Sequence, residues 1–225
     1  IDGPDDSVNL LLARWPNGTD ELATVNSKTL AVGQGFTAVP AGHSFVGGWT
    51  AMNRVRTIWD DLDGDGKKEI VSGINGVWNR VTVYTAEGTP RYNAQFGPGD
   101  KAPAVTLSDM DACDLNGDGK KEIVVAKASG LVVVLDHQCR KLWSKRLPSP
   151  PRVLRCVTPS GGAKPWVVVG CEDGTVLALD GAGEVQRIGK VTGRPVHLTT
   201  VGTPPGPVLV FGTSAGEVKC LGGSR

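Results

Sequence analysis

Two short acidic stretches share the residue types that bind a hard cation. Residues 61–70 read DLDGDGKKEI, and residues 114–123 read DLNGDGKKEI. Oxygen-bearing side chains stand at positions 1, 3, 5 and 9, a glycine at position 6 permits a sharp turn, and the carbonyl at position 7 is free. A plain polar turn is the simpler alternative, but it needs no carboxylate at every second position twice over. Both stretches are therefore predicted to be calcium loops.

The position of the last carboxylate separates these loops from EF-hands. An EF-hand has its bidentate Glu at position 12 and lies between two helices. Here the Glu comes at position 9 and opens an apolar run, Ile70-Val71 in one copy and Ile123-Val124-Val125 in the other. The loops are therefore predicted to join β-strands.

Composition favours one all-β domain over residues 1–225. The chain is long enough for a well-filled core, and its 31 Gly and 15 Pro suit many short strands joined by turns. Basic and acidic residues nearly balance, 24 against 23, so no overall field recruits nucleic acid or an anionic membrane. No apolar run approaches the ~20 residues of a membrane span. The first residues, IDGPDD, lack the pattern of a signal peptide, so a signal is expected to have been removed or the sequence to begin within a longer protein.

A repeat in the forties predicts a β-propeller. Glycines followed by alternating aliphatic residues occur at Gly130, Gly174 and Gly216, which are 44 and 42 residues apart. The two acidic stretches are 53 residues apart. Several strands per unit at such a period are typical of propeller blades.

Each complete repeat is predicted to be a four-stranded antiparallel blade. In residues 104–150 the expected strands are 105–113, 122–127, 131–136 and 140–146. The predicted blades are approximately residues 1–48, 49–103, 104–150, 151–192 and 193–225. The first is incomplete, with strands expected at 8–15, 21–25 and 29–32, and the last supplies three strands. Two arrangements stay open: a closed five-bladed monomer, which is favoured, or an arc of a larger propeller whose edge strands pair with another chain.

The acidic stretches, each placed between the first two strands of a blade, resemble the FG-GAP and VCBS repeats of integrin-alpha-like propellers. The Gly-Ala-Pro expected after the second strand is absent, and the later blades, with Leu179-Asp180 ending a strand, resemble quinoprotein-like repeats. The resemblance implies two calcium ions and a secreted, periplasmic or cell-surface protein. It assigns one ion to Asp61, Asp63, Asp65, Glu69 and the carbonyl of Lys67, and the other to Asp114, Asn116, Asp118, Glu122 and the carbonyl of Lys120.

The five cysteines fit no zinc pattern. Cys113 and Cys156 hold the same place in the first strands of adjacent blades, and Cys220 stands where other blades carry small aliphatic residues. Such residues are usually buried core thiols, and these three are predicted to be so. Cys139 and Cys171, at strand ends, are the expected exceptions that could form a disulfide.

No catalytic constellation is visible. The three histidines, His43, His137 and His197, lie in no recognised motif, and no nucleophile elbow or phosphate-binding glycine loop occurs. A non-catalytic module is therefore favoured. A polysaccharide lyase or hydrolase propeller, or a structural segment of a larger secreted protein, are the alternatives.

Two features could bind a ligand. Trp78, in a turn, could contact a sugar face or a protein. Seven charged residues lie in or just before the first strands, and five of them are basic: Arg54, Arg56, Asp109, Asp111, Arg152, Arg155 and Arg194. The arginines Arg54, Arg56, Arg152 and Arg194 are candidates for binding an anionic glycan or a carboxylate of a partner protein. The alternatives are that they bond neighbouring strands or face solvent.

Overall fold

The computed structural model describes residues 9–14, 21–32, 36–37, 54–75, 79–86, 88–96, 107–159, 161, 163–202 and 206–222. These residues form eighteen β-strands in five antiparallel sheets. Among them there is no helix that could cross a membrane. The predicted all-β architecture is confirmed.

The sheets follow one another along the chain, and each is called a blade. Blade I contains β1 (Asn9–Arg14), β2 (Glu21–Asn26) and β3 (Phe36–Thr37). Blade II contains β4 (Arg54–Asp60), β5 (Glu69–Ile74), β6 (Arg80–Tyr84) and β7 (Pro90–Gln95). Blade III contains β8 (Leu107–Cys113), β9 (Glu122–Lys127), β10 (Leu131–Leu135) and β11 (Lys141–Arg146). Blade IV contains β12 (Pro151–Val157), β13 (Trp166–Cys171), β14 (Thr175–Leu179) and β15 (Val185–Lys190), and blade V contains β16 (Pro195–Val201), β17 (Val208–Thr213) and β18 (Val218–Leu221).

The second and third strands of each complete blade form the core. Strands β5 and β9 are buried along their whole length, as their near-continuous aliphatic sequences require when both faces of a blade are covered. The fourth strands β11 and β15 are mostly exposed. Apolar clusters fill the three spaces between blades II and III, III and IV, and IV and V. Within the described residues, blades II to V therefore bury apolar surface against one another.

Small residues in the second strands allow the blades to approach closely. A Cβ added to Gly73 in β5 would lie 2.5 Å from the Sδ atom of Met110 in β8, so any larger residue would displace this contact. Gly170 in β13 occupies the matching position, where an added Cβ would lie 3.0 Å from Pro195 of blade V. The high glycine content, which the composition suggested was for turns, thus also allows close packing between blades.

The first strand of four successive blades carries a bulge at the same place. The pairing register of β4, β8, β12 and β16 with the following strand skips one residue each time. The skipped residues are Val55, Ser108, Arg152 and Val196. A bulge of this kind bends the strand and redirects the side chains beside it.

The predicted third strand of blade I is wrong. The side chain of Asn26 accepts hydrogen bonds from the backbone amides of Lys28 and Thr29, and Leu30 has a positive φ of 56°. This local hydrogen bonding favours a turn over an extended chain. The third strand comes later, at residues 36–37, and Val32 forms only an isolated bridge with Val25.

Candidate functional site

The first acidic loop, loop 1 (residues 61–68), joins β4 to β5 and wraps its backbone around its own carboxylates. Asp61 accepts hydrogen bonds from the amides of Gly64 (2.8 Å) and Gly66 (3.0 Å). Asp63 accepts one from Asp65 (3.3 Å), and Asp65 accepts one from Lys67 (2.8 Å). One oxygen of each of the three aspartates lies within 4.8 Å of the others. The loop therefore gathers three carboxylates around one point.

Glu69 closes loop 1 from the strand side. It is the first residue of β5 and only 5% exposed, and its Oε2 accepts a hydrogen bond from the amide of Leu62 (3.0 Å). Burial raises the pKa of its carboxyl group, and the neighbouring Asp63 and Asp65 raise the pKa further. The other oxygen, Oε1, lies 3.7 Å from the Nη1 atom of Arg91, which is also 3.7 Å from Asp63. A cation beside Glu69 would offset the unfavourable burial of its charge.

Loop 2 (residues 114–121), between β8 and β9, repeats all five of these backbone hydrogen bonds. Asp114 accepts from Gly117 (2.6 Å) and Gly119 (3.0 Å), the residues that match Gly64 and Gly66. The other three bonds run from Asp118 to Asn116 (2.7 Å), from Lys120 to Asp118 (2.8 Å) and from Leu115 to Glu122 (2.8 Å). The near-identity of the two sequences thus extends to their geometry.

The electrostatics of loop 2 are modified by an amide. Asn116 replaces the second aspartate, and its Nδ2 donates to Glu122 Oε1 (3.0 Å) and to Asp118 (3.1 Å). Burial raises the pKa of Glu122, whereas the hydrogen bond from the Lys120 amide lowers the pKa of the exposed Asp118. The amide nitrogen occupies the same side of Glu122 that Arg91 occupies beside Glu69.

The donor set of both loops fits a hard cation. Carboxylate, amide and carbonyl oxygens are the ligands that calcium prefers. Within the part of the chain that the structure describes, no hydrogen bond ends on the carbonyl oxygen of Lys67 or Lys120, so both carbonyls are available. The residues present therefore fit the calcium ligands that the resemblance assigns.

The two loops touch each other across the space between blades II and III. The amide of Lys121 donates to the carbonyl of Leu62 (2.8 Å), and its Nζ bonds Asp60 (2.6 Å). A Cβ added to Gly64 would lie 3.0 Å from the carbonyl oxygen of Gly119. Lys164 of blade IV matches Lys121 in the repeat, and its ammonium group donates to the carbonyl of Asn116. Each acidic loop is therefore held by a lysine of the following blade.

The prediction for the cysteines is wrong. Cys113 and Cys156 form a disulfide, with their Cα atoms 6.0 Å apart. Their equal position in the first strands of adjacent blades, which suggested interchangeable core residues, is what brings them together. Cys139 and Cys171, the expected disulfide candidates, are buried free thiols, and burial raises the pKa of each to about 12. Cys220, predicted to be buried, is an exposed thiol.

The basic residues of the first strands are paired with carboxylates. Asp109 lies between Arg56 of blade II (3.0 Å) and Arg155 of blade IV (3.1 Å), and so links three blades. Burial lowers the pKa of Arg56, an effect that Asp109 opposes. Arg152 and Arg194 share Glu172, at 2.6 and 3.7 Å. The part of the predicted basic surface that the structure describes is therefore an ion-pair network.

The remaining candidate residues, Arg54 and Trp78, are described only in part or not at all. Arg54 begins β4, but its side chain is outside the described set, and Trp78 lies outside the described residues altogether. The sequence did not single out His197, which borders the same cleft as Arg56, Arg152 and Arg155. All four residues lie in first strands, but the residue pattern carries no signal for the bulge beside them.

Comparisons with known proteins support a β-propeller. The sequence model of the family described as "Lambda-carrageenase beta-propeller domain" matches residues 81–192, just under half of the chain. No curated protein matches the sequence. A structure of BBS1N in complex with ARL6DN is 16% identical, with a TM-score of 0.64, and the match covers 98% of this chain and 64% of that one. The biofilm matrix protein Bap1 of V. cholerae is also 16% identical, with a TM-score of 0.56, over 94% of this chain and 33% of that one.

This chain thus spans less than two thirds of each of these two proteins. Identities of 16% show the fold alone. The matches do not single out the FG-GAP, VCBS or quinoprotein-like types of repeat that the sequence resembles. The comparisons therefore show a β-propeller fold.

Proposed function

We propose that this chain is a calcium-stabilised, non-catalytic β-propeller module of a secreted, periplasmic or cell-surface protein, and that it binds a glycan or another protein. One observation carries the calcium assignment. Both acidic loops keep the same five hydrogen bonds, and both place a buried Glu at position 9. A turn that served only to connect two strands would not require a buried carboxylate beside several others.

Calcium would stabilise the junctions between blades. Asp61, Asp63, Asp65 and Glu69 would hold one ion, and Asp114, Asn116, Asp118 and Glu122 the other. Because loop 1 contacts loop 2, and loop 2 contacts Lys164, ordering the loops would also order the contacts from blade II to blade IV. In a repeat protein these contacts between neighbours supply much of the stability.

The test is the shift in melting temperature on adding calcium. Binding to the folded state alone stabilises by about 2.7 kcal/mol per site at a hundredfold excess over Kd. The double variant Asp65→Ala/Asp118→Ala should lose the calcium-dependent shift. Asp180→Ala is the matched control, because Asp180 also accepts two backbone amides in a turn but belongs to neither loop. A full shift in the double variant would show that these loops do not bind calcium.

The disulfide supports the proposed location. Disulfides form and persist in oxidising compartments, outside cells or in the periplasm, and are rare in the reducing cytosol. Cys113–Cys156 ties blade III to blade IV. Isolating the protein from its native host with thiols blocked at lysis would test this, since complete labelling of both cysteines would contradict an oxidising location.

The comparisons bear on the partner of the module. The matched family model is named for a carrageenase, an enzyme that acts on a polysaccharide, which favours a glycan. BBS1N was solved in complex with another protein, which favours a protein partner. An array that presents glycans would test the first partner class.

We expect a monomer of 23.5 kDa by light scattering, and a stable dimer would instead favour completion of a three-stranded blade by a second chain.

An enzyme is the second candidate, favoured by the carrageenase name of the family model. Incubation with carrageenan, followed by measurement of new reducing ends, separates the two functions. Binding without product supports the module, and product formation supports the enzyme.

A further inference from the structure

A cleft of about 190 Å³ lies among the first strands of blades II to V. All four bulge residues of these strands line it, so the repeated bulge shapes its wall. In three blades the bulge residue is uncharged: Val55, Ser108 and Val196. In blade IV it is Arg152. The fold therefore places one guanidinium at a position that the other repeats fill without charge.

Asp109, which also lines the cleft, is saturated with hydrogen-bond donors. Its Oδ1 accepts from the Met110 amide (2.9 Å) and from Arg56 (3.0 Å). Its Oδ2 accepts from the Leu154 amide (3.0 Å) and from Arg155 (3.1 Å). Four donors occupy the two oxygens of this buried side chain. Asp109 therefore fixes two guanidinium groups and offers no free acceptor to a ligand.

The three arginines that line the cleft keep donors in reserve. Arg56 uses only Nε, and Arg155 uses Nη1 for Asp109 and for the carbonyl of Leu154. Arg152 uses Nε for Glu172. In the described part of the chain their remaining nitrogens have no partner, although each guanidinium carries five N–H groups. The cleft wall thus has more donors than acceptors.

Two other carboxylates lie nearby, but neither adds an acceptor to the cleft wall. Glu172 neutralises part of the charge of Arg152, yet it is not in the wall of the cleft. Asp111 interacts electrostatically with Arg56 and Arg155 and so offsets part of their charge, but it accepts the Cys156 amide and lines a different cleft, of about 520 Å³, beside loop 2. Three guanidinium groups and one saturated carboxylate therefore face the cleft, together with His197.

We infer that this cleft binds an oxyanion group, a sulfate ester or a carboxylate, carried by an anionic glycan. The inference rests on the proposed binding function and names its ligand class. Planar guanidinium groups recognise such oxyanions through paired N–H donors. The small volume admits one such group at a time, so the rest of the glycan would extend along the face of the propeller.

The test compares two arginines that share a salt-bridge partner. Arg152 lines the cleft, whereas Arg194 shares Glu172 but does not line it. Binding of a sulfated galactan oligosaccharide, a polygalacturonate oligosaccharide and a neutral galactan oligosaccharide would be measured by calorimetry. Arg152→Gln should weaken binding of the charged glycan by roughly tenfold, the lower end of what a hydrogen bond to a charged group supplies. Arg194→Gln should change it less than twofold.

The outcomes separate this inference from the calcium proposal, which is tested by melting. Binding of the sulfated or the uronic glycan alone identifies the source of the oxyanion and supports the inference. Equal losses in both variants, equal binding of the neutral glycan, or binding of a polyglutamate peptide but of no glycan would overturn it. Arg152→Val provides a second variant, because valine occupies the matching bulge in β4 and β16 and is compatible with the fold.

Discussion

Loop 1 and loop 2 have the same backbone and differ in how their charge is balanced. Loop 1 together with Glu69 has four carboxylates and faces Arg91, and loop 2 together with Glu122 has three carboxylates and Asn116. Arg91 is the residue skipped where the fourth strand of blade II pairs with the third. The matching skipped residue in blade III is Leu142. Each loop therefore carries a surplus of three negative charges from these groups. Two changes that are far apart in the sequence compensate each other because the fold brings them to the same point.

The junctions beside the two loops differ more strongly. Asp60 and Cys113 are the last residues of β4 and β8 and stand at matching positions. Asp60 forms an ion pair with Lys121 of the next blade, and Cys113 forms a disulfide with Cys156 of the next blade. The same location thus carries a noncovalent link in one junction and a covalent link in the other.

Removing the covalent link should have the largest effect. The disulfide closes a loop with a sequence separation of 43, for which chain entropy predicts about 4 kcal/mol of stabilisation. Cys113→Ala/Cys156→Ala should therefore lower the free energy of unfolding by that order in urea titrations. Asp60→Asn, which breaks the matching ion pair, should lower it by less than about 1 kcal/mol, since both side chains are about one third exposed. Equal losses in the two variants would contradict the distinction between the junctions.

Counting thiols tests the same pair without a mutation. Native protein should react with about one equivalent of a thiol reagent, at Cys220, because burial raises the pKa of Cys139 and Cys171 to about 12 and keeps them protonated at neutral pH. Denatured protein should show three thiols, and reduced denatured protein all five. Five thiols without reductant would mean that the disulfide does not form.

Matching glycines in the loops should respond differently to alanine. Gly64 and Gly117 both have positive φ, 77° and 83°, where alanine costs about 1–2 kcal/mol. At Gly64 the new Cβ would also meet the carbonyl oxygen of Gly119 at 3.0 Å, whereas at Gly117 it would meet the flexible end of Lys164 at 3.2 Å. Gly64→Ala should therefore destabilise by about 1 kcal/mol more than Gly117→Ala, because backbone overlap is relieved less easily.

Gly66→Ala serves as the control for backbone strain, since its φ is 85° and an added Cβ meets nothing within 4 Å. Thermal melts of the three variants without calcium provide the measurement. If Gly64→Ala were no worse than Gly66→Ala, the contact between the two loops would not be tight.

The sequence predicted the features that a residue pattern encodes and missed those that depend on contacts between strands. The loops and the strands beside them follow from the carboxylate spacing that begins at Asp61 and from the repeat of Gly130 at Gly174 and Gly216. The bulge at Arg152 depends on how β12 pairs with β13 within blade IV. The disulfide and the ion pairs of Asp109 depend on how closely the first strands of neighbouring blades approach. No local pattern encodes that distance. Cys113 and Cys156 show the difficulty well, because the repeat alignment placed them correctly but could not indicate that matching positions lie in contact.

Exchanging the compensating residues should have the smallest effect and tests the charge balance directly. Arg91→Leu removes the positive charge beside Glu69 and Asp63, so loop 1 should bind calcium more tightly. Leu142→Arg should weaken calcium binding at loop 2. Each change should be roughly twofold to fivefold in Kd, because Arg91 lies 3.7 Å from both carboxylates and its side chain is 37% exposed, which leaves the interaction strongly screened.

Single-site backgrounds make these small changes measurable. Asp118→Ala leaves loop 1 as the proposed calcium site, and Asp65→Ala leaves loop 2, so calorimetry in each background would report one Kd. The effects should shrink at high salt, as expected for partly exposed charges. If Arg91→Leu weakened binding at loop 1, the guanidinium would be supporting the loop rather than competing with the cation, and the equal charge surplus of the two loops would have no bearing on affinity.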